Sequence, residues 1–298
     1  MRHLKFIISF LFPCLLLALP VWSQDDLTKI MDQAQPAIHT TTIATFKATR
    51  IINLHTVEVL GKRTLDFRIS HRFGTFHSGS ENLYGLDGPA NIRLDLEYSY
   101  NGRLMVGLGR SSFEKMMDGF LKYRLIRQTE DNHVPLSVTL LANMYYTLQK
   151  DNGKATVGYD LYMHQYSRMS YEYEIIIAKK FTNKFSFQLT PYLLHYNQVQ
   201  HISDKNDIYG VSCGLRYKVT RSMAITAEYA YNINDYSNEK YYNNLGIGFE
   251  IETGGHVFQM HVVNSFGIVE NQFLAHTTDK WSNAGIRLGF NISRVFRV

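Results

Sequence analysis

Charged side chains alternate with apolar ones along much of this sequence. Between residues 65 and 73, for example, Asp66, Arg68 and Arg72 are separated by Leu, Phe and Ile. Successive residues of a β-strand point to opposite faces, so this period places the charges on one face and the apolar groups on the other. Such charged faces could line a narrow path for ions or small polar solutes. The candidate lining residues are Arg68, Arg72, Arg93, Asp95, Glu97, Lys122, Arg124, Glu172, Glu174, Arg216, Glu228, Glu250 and Arg287.

These candidates carry both signs in nearly equal number. A balanced set of charges in a narrow interior is compatible with two structures. The charges can border a polar, ion-lined pore, or they can pair with one another across the lumen and fill it. The sequence leaves both possibilities open.

Serine and histidine residues offer a second chemistry, that of a hydrolase. Ser111, Ser112 and Ser265 could act as nucleophiles, because an adjacent histidine can activate a hydroxyl. The possible bases are His133, His164, His195, His201, His256, His261 and His276. No spacing selects one pair, and HExxH, CxxC, P-loop and GxSxG motifs are absent. We therefore predict no enzyme, with a phospholipase-like barrel hydrolase as an alternative.

A metal or cofactor site is not predicted. His39, His55, His71 and His77 have ligand chemistry, but nothing in their spacing makes them converge. The two cysteines cannot form a four-thiolate site.

The elements that must position the charged faces are strands. Twelve stretches show period-two alternation, each roughly 10–13 residues long, which suits a tilted crossing of a bilayer better than an ordinary globular strand. Their predicted ranges are 63–74, 90–100, 103–112, 117–128, 134–147, 169–181, 185–196, 207–219, 222–233, 241–252, 255–267 and 282–296.

Short and long connections alternate between these strands. Asn101-Gly102 and Gly254-Gly255 are typical of tight turns, whereas about 75–89 and 148–168 are long. Short turns at one end and long loops at the other are characteristic of bacterial outer-membrane barrels. If both termini are periplasmic, the strand number must be even, and twelve strands leave the short turns on the periplasmic side. The aromatic pairs Tyr98/Tyr100, Tyr145/Tyr146, Tyr171/Tyr173, Tyr229/Tyr231 and Tyr241/Tyr242 are predicted to form interfacial girdles.

One strand-like segment does not fit this scheme. Residues 44–60 would give a thirteenth strand and place the N-terminus outside the cell. We assign residues 24–62 to a periplasmic or lumenal N-terminal extension, with a fourteen-strand barrel as the rival.

The N-terminus is typical of a secretory signal peptide. A basic start at Arg2 and Lys5 precedes an apolar run from residue 6 to residue 20, and cleavage is predicted after Ser23. Removing residues 1–23 lowers the net charge from +5 to +3 and leaves Cys213, predicted to point at lipid, as the one cysteine. So small a basic excess gives no reason to expect a nucleic-acid partner.

Composition agrees with a membrane barrel. The chain has 298 residues, of which 45% are apolar and 13% aromatic, with a mean hydropathy of −0.20. Disorder is excluded by the apolar fraction, and no later stretch reaches 18 consecutive apolar residues. The soluble-looking hydropathy is the average of a lipid-facing and a water-facing side.

Two resemblances point to the same class. Residues 283–290, NAGIRLGF, are similar to the signature that the barrel assembly machinery reads in its clients. The stretches 67–74, 83–93, 106–112 and 118–128 resemble an uncharacterised Bacteroidetes-type outer-membrane β-barrel family, a domain of unknown function, over roughly residues 40–150. The resemblance implies a fold and a location and supplies no substrate or catalytic residue.

The sequence thus predicts an all-β protein, an antiparallel up-and-down transmembrane β-barrel formed by residues 63–298, in the outer membrane of a Gram-negative cell. Its expected partners are outer-membrane lipid and the barrel assembly machinery, with a periplasmic protein as a further candidate. The predicted function is a narrow, porin-like polar pore. The alternatives are a non-conducting structural or partner-binding barrel, and a barrel hydrolase.

Overall fold

The segments with period-two alternation form twelve antiparallel strands in a computed structural model of the chain. The structure describes residues 39–150, 162–199, 201, 203–234, 236–237 and 240–298. Within these ranges the strands are β1 (Thr64–Thr75), β2 (Asn91–Ser99), β3 (Leu104–Ser111), β4 (Met116–Ile126), β5 (Ser137–Thr147), β6 (Met169–Lys180), β7 (Phe185–Tyr196), β8 (Asp207–Lys218), β9 (Met223–Asn232), β10 (Leu245–Thr253), β11 (His256–Val263) and β12 (Arg287–Arg297).

The strands form one closed ring. Each pairs with its neighbours in the sequence, and β1 completes the ring by pairing with β12 in a register that places Ile69 opposite Ile292. Closure leaves no sheet edge, so the strands satisfy one another's backbone N–H and C=O groups without water, as a bilayer requires. The predicted fold class, an all-β barrel of twelve strands, is confirmed.

The wall has an apolar outer face and a polar inner face. On β2, Leu94 and Leu96 are 46% and 49% exposed, whereas the alternating Asp95 and Glu97 are buried. Cys213 lies among the outward residues of β8, as predicted for the lipid-facing side. The described residues include no helix long and apolar enough to cross a membrane.

The two ends of the barrel differ in their connections. We call one end of the barrel the short-turn end. It contains the start of β1 and the end of β12, where Thr64 pairs with Arg297, and the connections 100–103, 181–184, 219–222 and 254–255. The opposite, long-loop end carries the connections 76–90 and 264–286 among others. The ten-residue connection 127–136 at the short-turn end is longer than a tight turn needs.

Two segments outside the strands occupy the interior. We call residues 42–60 the plug and residues 264–277 the inward loop; most residues of the plug, including all of 48–57, and nearly all of the inward loop are buried. A four-residue helix, α1 (Glu270–Phe273), lies in the inward loop. Plug residues such as Ile51 and inward-loop residues such as Phe273 belong to one apolar cluster, so the hydrophobic core lies within the ring.

Residues 40–298 form one compact unit. The predicted signal peptide, residues 1–23, lies outside the described residues and stays a prediction. The boundaries proposed for the N-terminal extension and the barrel domain stay predictions as well.

Candidate functional site

The candidate lining residues all project from the inner face of the wall. Three of them, Arg124, Arg216 and Arg287, keep 11–12% of their side chains exposed. The remainder are almost completely buried, namely Arg68, Arg72, Arg93, Asp95, Glu97, Lys122, Glu172, Glu174, Glu228 and Glu250. The plug and the inward loop occupy the space between these residues. Their role as the border of a solute path therefore stays a prediction.

Charges on β1, β2 and β4 pair locally along the wall. The Arg93 guanidinium donates to Asp95 at 2.6 Å and to both carboxylate oxygens of Asp118, at 3.0 and 2.6 Å. Arg68 donates to Asp66 at 3.0 Å. These pairs join the same or nearby strands and do not cross the lumen.

The plug bonds to this charged network and then reverses direction. The Thr49 hydroxyl donates to Glu97 and accepts from Arg68, each at 2.5 Å. The chain reverses at residues 51–54, where the Ile51 N–H donates to the Leu54 carbonyl at 2.9 Å. The plug therefore enters the barrel as a narrow hairpin with its tip at residues 51–54.

Glu228 on β9 holds the tip of the plug. One carboxylate oxygen accepts the backbone N–H groups of Ile52, Asn53 and Leu54, at 3.2, 2.9 and 3.0 Å. Three successive N–H groups that converge on one oxygen form the concave anion site that turns present to carboxylates. A buried carboxylate thus compensates three buried donors that have no partner of their own.

Other wall side chains bond to the rest of the plug backbone. Gln188 on β7 accepts from the Val57 N–H at 2.9 Å and donates to the His55 carbonyl at 2.7 Å. Gln259 on β11 donates to the Ile51 carbonyl at 2.8 Å. Side chains from several sides of the ring therefore replace the sheet or helix partners that the plug lacks.

The wall is thinned where the tip approaches it. A Cβ added to Gly214 on β8 would lie 1.9 Å from Ile51 Cδ1, and one added to Gly246 on β10 would lie 3.0 Å from Ile52 Cδ1. Inward-facing glycines therefore provide the space for the tip.

The inward loop meets the plug at a buried ion pair. Arg50 of the plug bonds to Glu270 of α1, and both side chains are at most 4% exposed. His55 Nε2 lies 3.6 Å from the same carboxylate. The two segments that fill the interior from opposite ends are thus connected directly to each other.

Tyr145 connects this pair to the wall. Its hydroxyl lies 2.6 Å from Glu172 on β6 and 3.1 Å from Glu270. The prediction that Tyr145 belongs to an interfacial girdle is wrong, because its side chain points inward and is only 1% exposed. A tyrosine at an inward position can bury its ring and still satisfy its hydroxyl.

The inward loop is covered by aromatic rings at the long-loop end. The His276 ring lies 5.4 Å from that of Tyr196 and 5.2 Å from that of Tyr241. Burial lowers the pKa of His276 to about 4. Glu114, in the β3–β4 connection, accepts from Gln272 at 3.0 Å, and burial raises the pKa of its carboxyl.

Two of the serines considered for hydrolysis bond to an amide oxygen. The hydroxyls of Ser111 and Ser112 both donate to Asn91 Oδ1, at 2.9 and 3.1 Å. His195 instead pairs with Asp207 at 2.7 Å, near the long-loop end. Among the described residues, no group of three or more His, Cys, Asp or Glu side chains could hold a metal ion.

Sequence reasoning missed several residues that lie inside the ring. Arg50, Asn53 and Glu270 were not singled out, although Glu228, which holds the tip, was. Two signals were available: the inward glycines of β8 and β10, and the apolar Val269 and Phe273 at helical spacing within an expected surface loop.

Comparison with known proteins gives a family and a set of distant structural neighbours. The profile of the family described as "Membrane bound beta barrel domain (DUF5777)" matches residues 46–296. No curated protein matches the chain at a significant level.

The solved structures that align with the chain are barrels of low sequence identity. The NanC porin aligns with a TM-score of 0.49 and 10% identity over 78% of this chain and 99% of that one. The KdgM porin gives 0.46 and 8% over 78% and 99%. Outer membrane phospholipase A from Escherichia coli gives 0.45 and 9% over 87% and 98%. At this level of similarity, nothing about solute or reaction transfers from these proteins to the present chain.

Proposed function

We propose that this chain, which belongs to the DUF5777 family of membrane-bound β-barrel domains, is an outer-membrane channel for small polar solutes that its plug holds closed. The observation that carries the proposal is the filled interior. The plug and the inward loop lie inside the ring and meet at the Arg50–Glu270 ion pair. A path for solutes opens only when the plug leaves.

The polar wall supports a channel. The inner face presents charges of both signs together with amides and hydroxyls, and such a surface is stable against water once it is uncovered. A wall that served only to enclose a permanent core would be more stable with apolar residues in place of many buried ion pairs.

The path of the chain supports reversible closure. The plug enters beside the connection 127–136, where the Thr42 N–H donates to the Gln128 carbonyl at 2.8 Å. It leaves where Arg63 bonds to Ser99, also at the short-turn end. Since both of its ends lie at the same mouth, the plug can withdraw without threading through the barrel. A periplasmic partner that binds the chain before residue 42 would supply the force that withdraws the plug from the barrel.

A non-conducting structural or partner-binding barrel is the second candidate. The apolar cluster favours it, because plug residues Phe46, Ile51 and Val57 pack with inward wall residues as in the core of a soluble protein. In this case the plug is a permanent part of the fold. Hydrolysis is not part of either proposal.

Ion conductance in planar bilayers separates the two candidates. The chain without its predicted signal peptide is compared with a truncation that begins at Lys62 and so lacks the plug. We expect no conductance steps from the first and steady steps from the second. Heat-modifiable migration in SDS gels establishes that each sample is a folded barrel.

The outcomes of this experiment distinguish a channel from a structural barrel. Steady conductance of the chain with its plug would show that the plug does not close the barrel. A folded but silent truncation would reject the channel and leave the structural barrel. If the truncation does not fold, Arg50→Ala in the chain with its plug replaces it. Brief openings are then expected, and a folded, silent variant would count against the channel.

A further inference from the structure

The connection between β1 and β2 exposes three large apolar side chains at the long-loop end. We call residues 76–90 the rim loop. In it, Leu83, Tyr84 and Leu86 are 55%, 58% and 46% exposed. With neighbouring apolar groups they border an open groove of about 480 Å³, whose lining residues are Phe76, Leu83, Tyr84, Leu86, Ala284 and Leu288. The lining contains no charged residue.

The backbone of the rim loop fixes these side chains in place. Gly85, at φ +93°, packs so closely on β1 that an added Cβ would lie 2.4 Å from the Gly74 carbonyl oxygen. The Phe76 N–H also donates to the Ile286 carbonyl at 2.8 Å. Leu83 and Tyr84 have φ values of +45° and +54°, which bulky residues seldom adopt. The exposed apolar cluster is therefore built into the fold of the loop.

The groove is continuous with the lipid-facing side of the barrel. Leu288 is an outward residue of β12 and pairs with the outward Val262 of β11. The next residue of β12, Gly289, points inward and is buried. The groove therefore opens directly onto the outward, apolar face of the wall.

We propose that the rim loop inserts into the outer leaflet and that its groove holds a lipid acyl chain. Polar residues limit the depth of insertion, because Glu81 and Asp87 flank the apolar cluster and are both exposed. Tyr84 combines an apolar ring with a hydroxyl and suits the level of the headgroups. The inference concerns contact with lipid and does not depend on conduction.

Site-directed spin labelling tests the contact. In a Cys213→Ala background, in the chain without its predicted signal peptide, a nitroxide is attached at Leu83→Cys or Leu86→Cys. The folded barrel is placed in phosphatidylcholine vesicles. Accessibility to oxygen, which partitions into lipid, is compared with accessibility to a neutral Ni(II) chelate, which stays in water. Leu94→Cys on the lipid-facing wall and Glu81→Cys on the rim loop are the matched controls.

We expect the logarithm of the oxygen-to-nickel accessibility ratio to be positive at positions 83, 86 and 94 and negative at position 81. A negative ratio at both 83 and 86 would overturn the proposal, because the loop would then lie in water. Exclusion of both reagents at these positions would also overturn it, in favour of contact with a second copy of the chain. Leu86 has an ordinary helical φ of −66°, so its label gives an answer even if a label at Leu83 disturbs the loop.

Discussion

The plug and the inward loop fill one interior from opposite ends, and they satisfy their buried backbones in different ways. The plug has neither helix nor strand in the described residues, and wall side chains such as Glu228 and Gln188 bond to its backbone. The helical part of the inward loop satisfies its N–H groups within the loop: the Leu274 N–H donates to the Glu270 carbonyl at 2.9 Å, and the His276 N–H to the Gln272 carbonyl at 2.9 Å. Wall side chains bond to some of its carbonyls, as where Asn232 donates to the Leu274 carbonyl at 2.7 Å.

This difference shows which segment the wall controls. A segment whose backbone depends on wall side chains can be released by changing those side chains. A segment with internal hydrogen bonds keeps its local fold when the wall changes. We therefore expect the plug to be the more easily released of the two, and three predictions test the contrast in order of decreasing effect.

The largest effect is expected at the ion pair that joins the two segments. Arg50→Ala leaves Glu270 buried without its cation, which costs about 3–5 kcal/mol. Amide hydrogen exchange of the folded barrel, followed by mass spectrometry, should show loss of protection at residues 50–57 and a smaller loss at 270–276. Adding Glu270→Gln to Arg50→Ala should restore part of the lost protection, because the unpaired buried charge is removed.

Lys47→Ala is the matched control for this prediction. Lys47 is also a plug residue and pairs with Glu252, but both side chains are about one-third exposed. An exposed pair contributes about 0–1 kcal/mol. Equal effects of the two substitutions would mean that the buried pair does not hold the segments together.

A smaller effect, confined to the plug, is expected at Glu228. Glu228→Ala leaves three buried N–H groups of the tip without an acceptor, and we expect a cost of about 3 kcal/mol. Protection of residues 51–54 should be lost while residues 270–276 stay protected. Glu228→Gln keeps an acceptor oxygen and should lose less. Equal loss in the inward loop would contradict the independence of the two segments.

The smallest effect is expected from pH and concerns the inward loop. The pKa of His276 is about 4 in the folded loop and 6.5 when the ring is released to water, so the open form binds the proton more strongly. The loop is therefore most stable above pH 6.5 and loses stability as the pH falls towards 4. Between pH 7.5 and 5.5 the loss is about 1.4 kcal/mol, roughly a tenfold rise in opening.

His276→Phe serves as the control for the pH effect. The carboxyl of Glu114, whose pKa burial raises, titrates in both proteins and cancels in the comparison. The difference in hydrogen exchange between the two proteins should appear below pH 6.5. An unchanged pH dependence in the variant would assign the effect to other groups.

The wall was predictable because lipid outside and polar groups inside impose a strict period of two. The strand predicted at 185–196 coincides with β7, and 169–181 differs from β6 by one residue. The family resemblance, based on four stretches before residue 150, is confirmed by a match over 46–296. The predicted strands 241–252 and 282–296 begin four or five residues before β10 and β12, because those residues belong to the connections at the long-loop end.

The plug was not predictable from local pattern alone. Residues 44–60 are rich in Thr, Ile and Val and have the composition of a strand. A strand needs a free edge for pairing, and a closed ring provides none. The connection 127–136 is too long for a tight turn, and its extra residues contact the segment that leads into the plug. There the Glu130 N–H donates to the Thr40 carbonyl.

The identity of the inward charges was predictable, and their partners were not. Alternation placed Arg93 and Glu228 on the inner face, but pairing depends on which strands become neighbours and on what fills the lumen. Arg93 pairs within the wall, whereas Glu228 bonds to a segment about 175 residues away in the chain.

The seam between β1 and β12 gives the plug a role in the order of folding. Asn291 on β12, the strand of the ring that comes last in chain order, donates to the Ile52 carbonyl at the tip of the plug, across a separation of 239 residues. Gln259 on β11 donates to the adjacent Ile51 carbonyl. The binding surface for the tip is therefore incomplete until the ring has closed. Full seating of the plug therefore requires a complete ring, and we expect a chain that lacks β12 to leave its plug more open to an added protease.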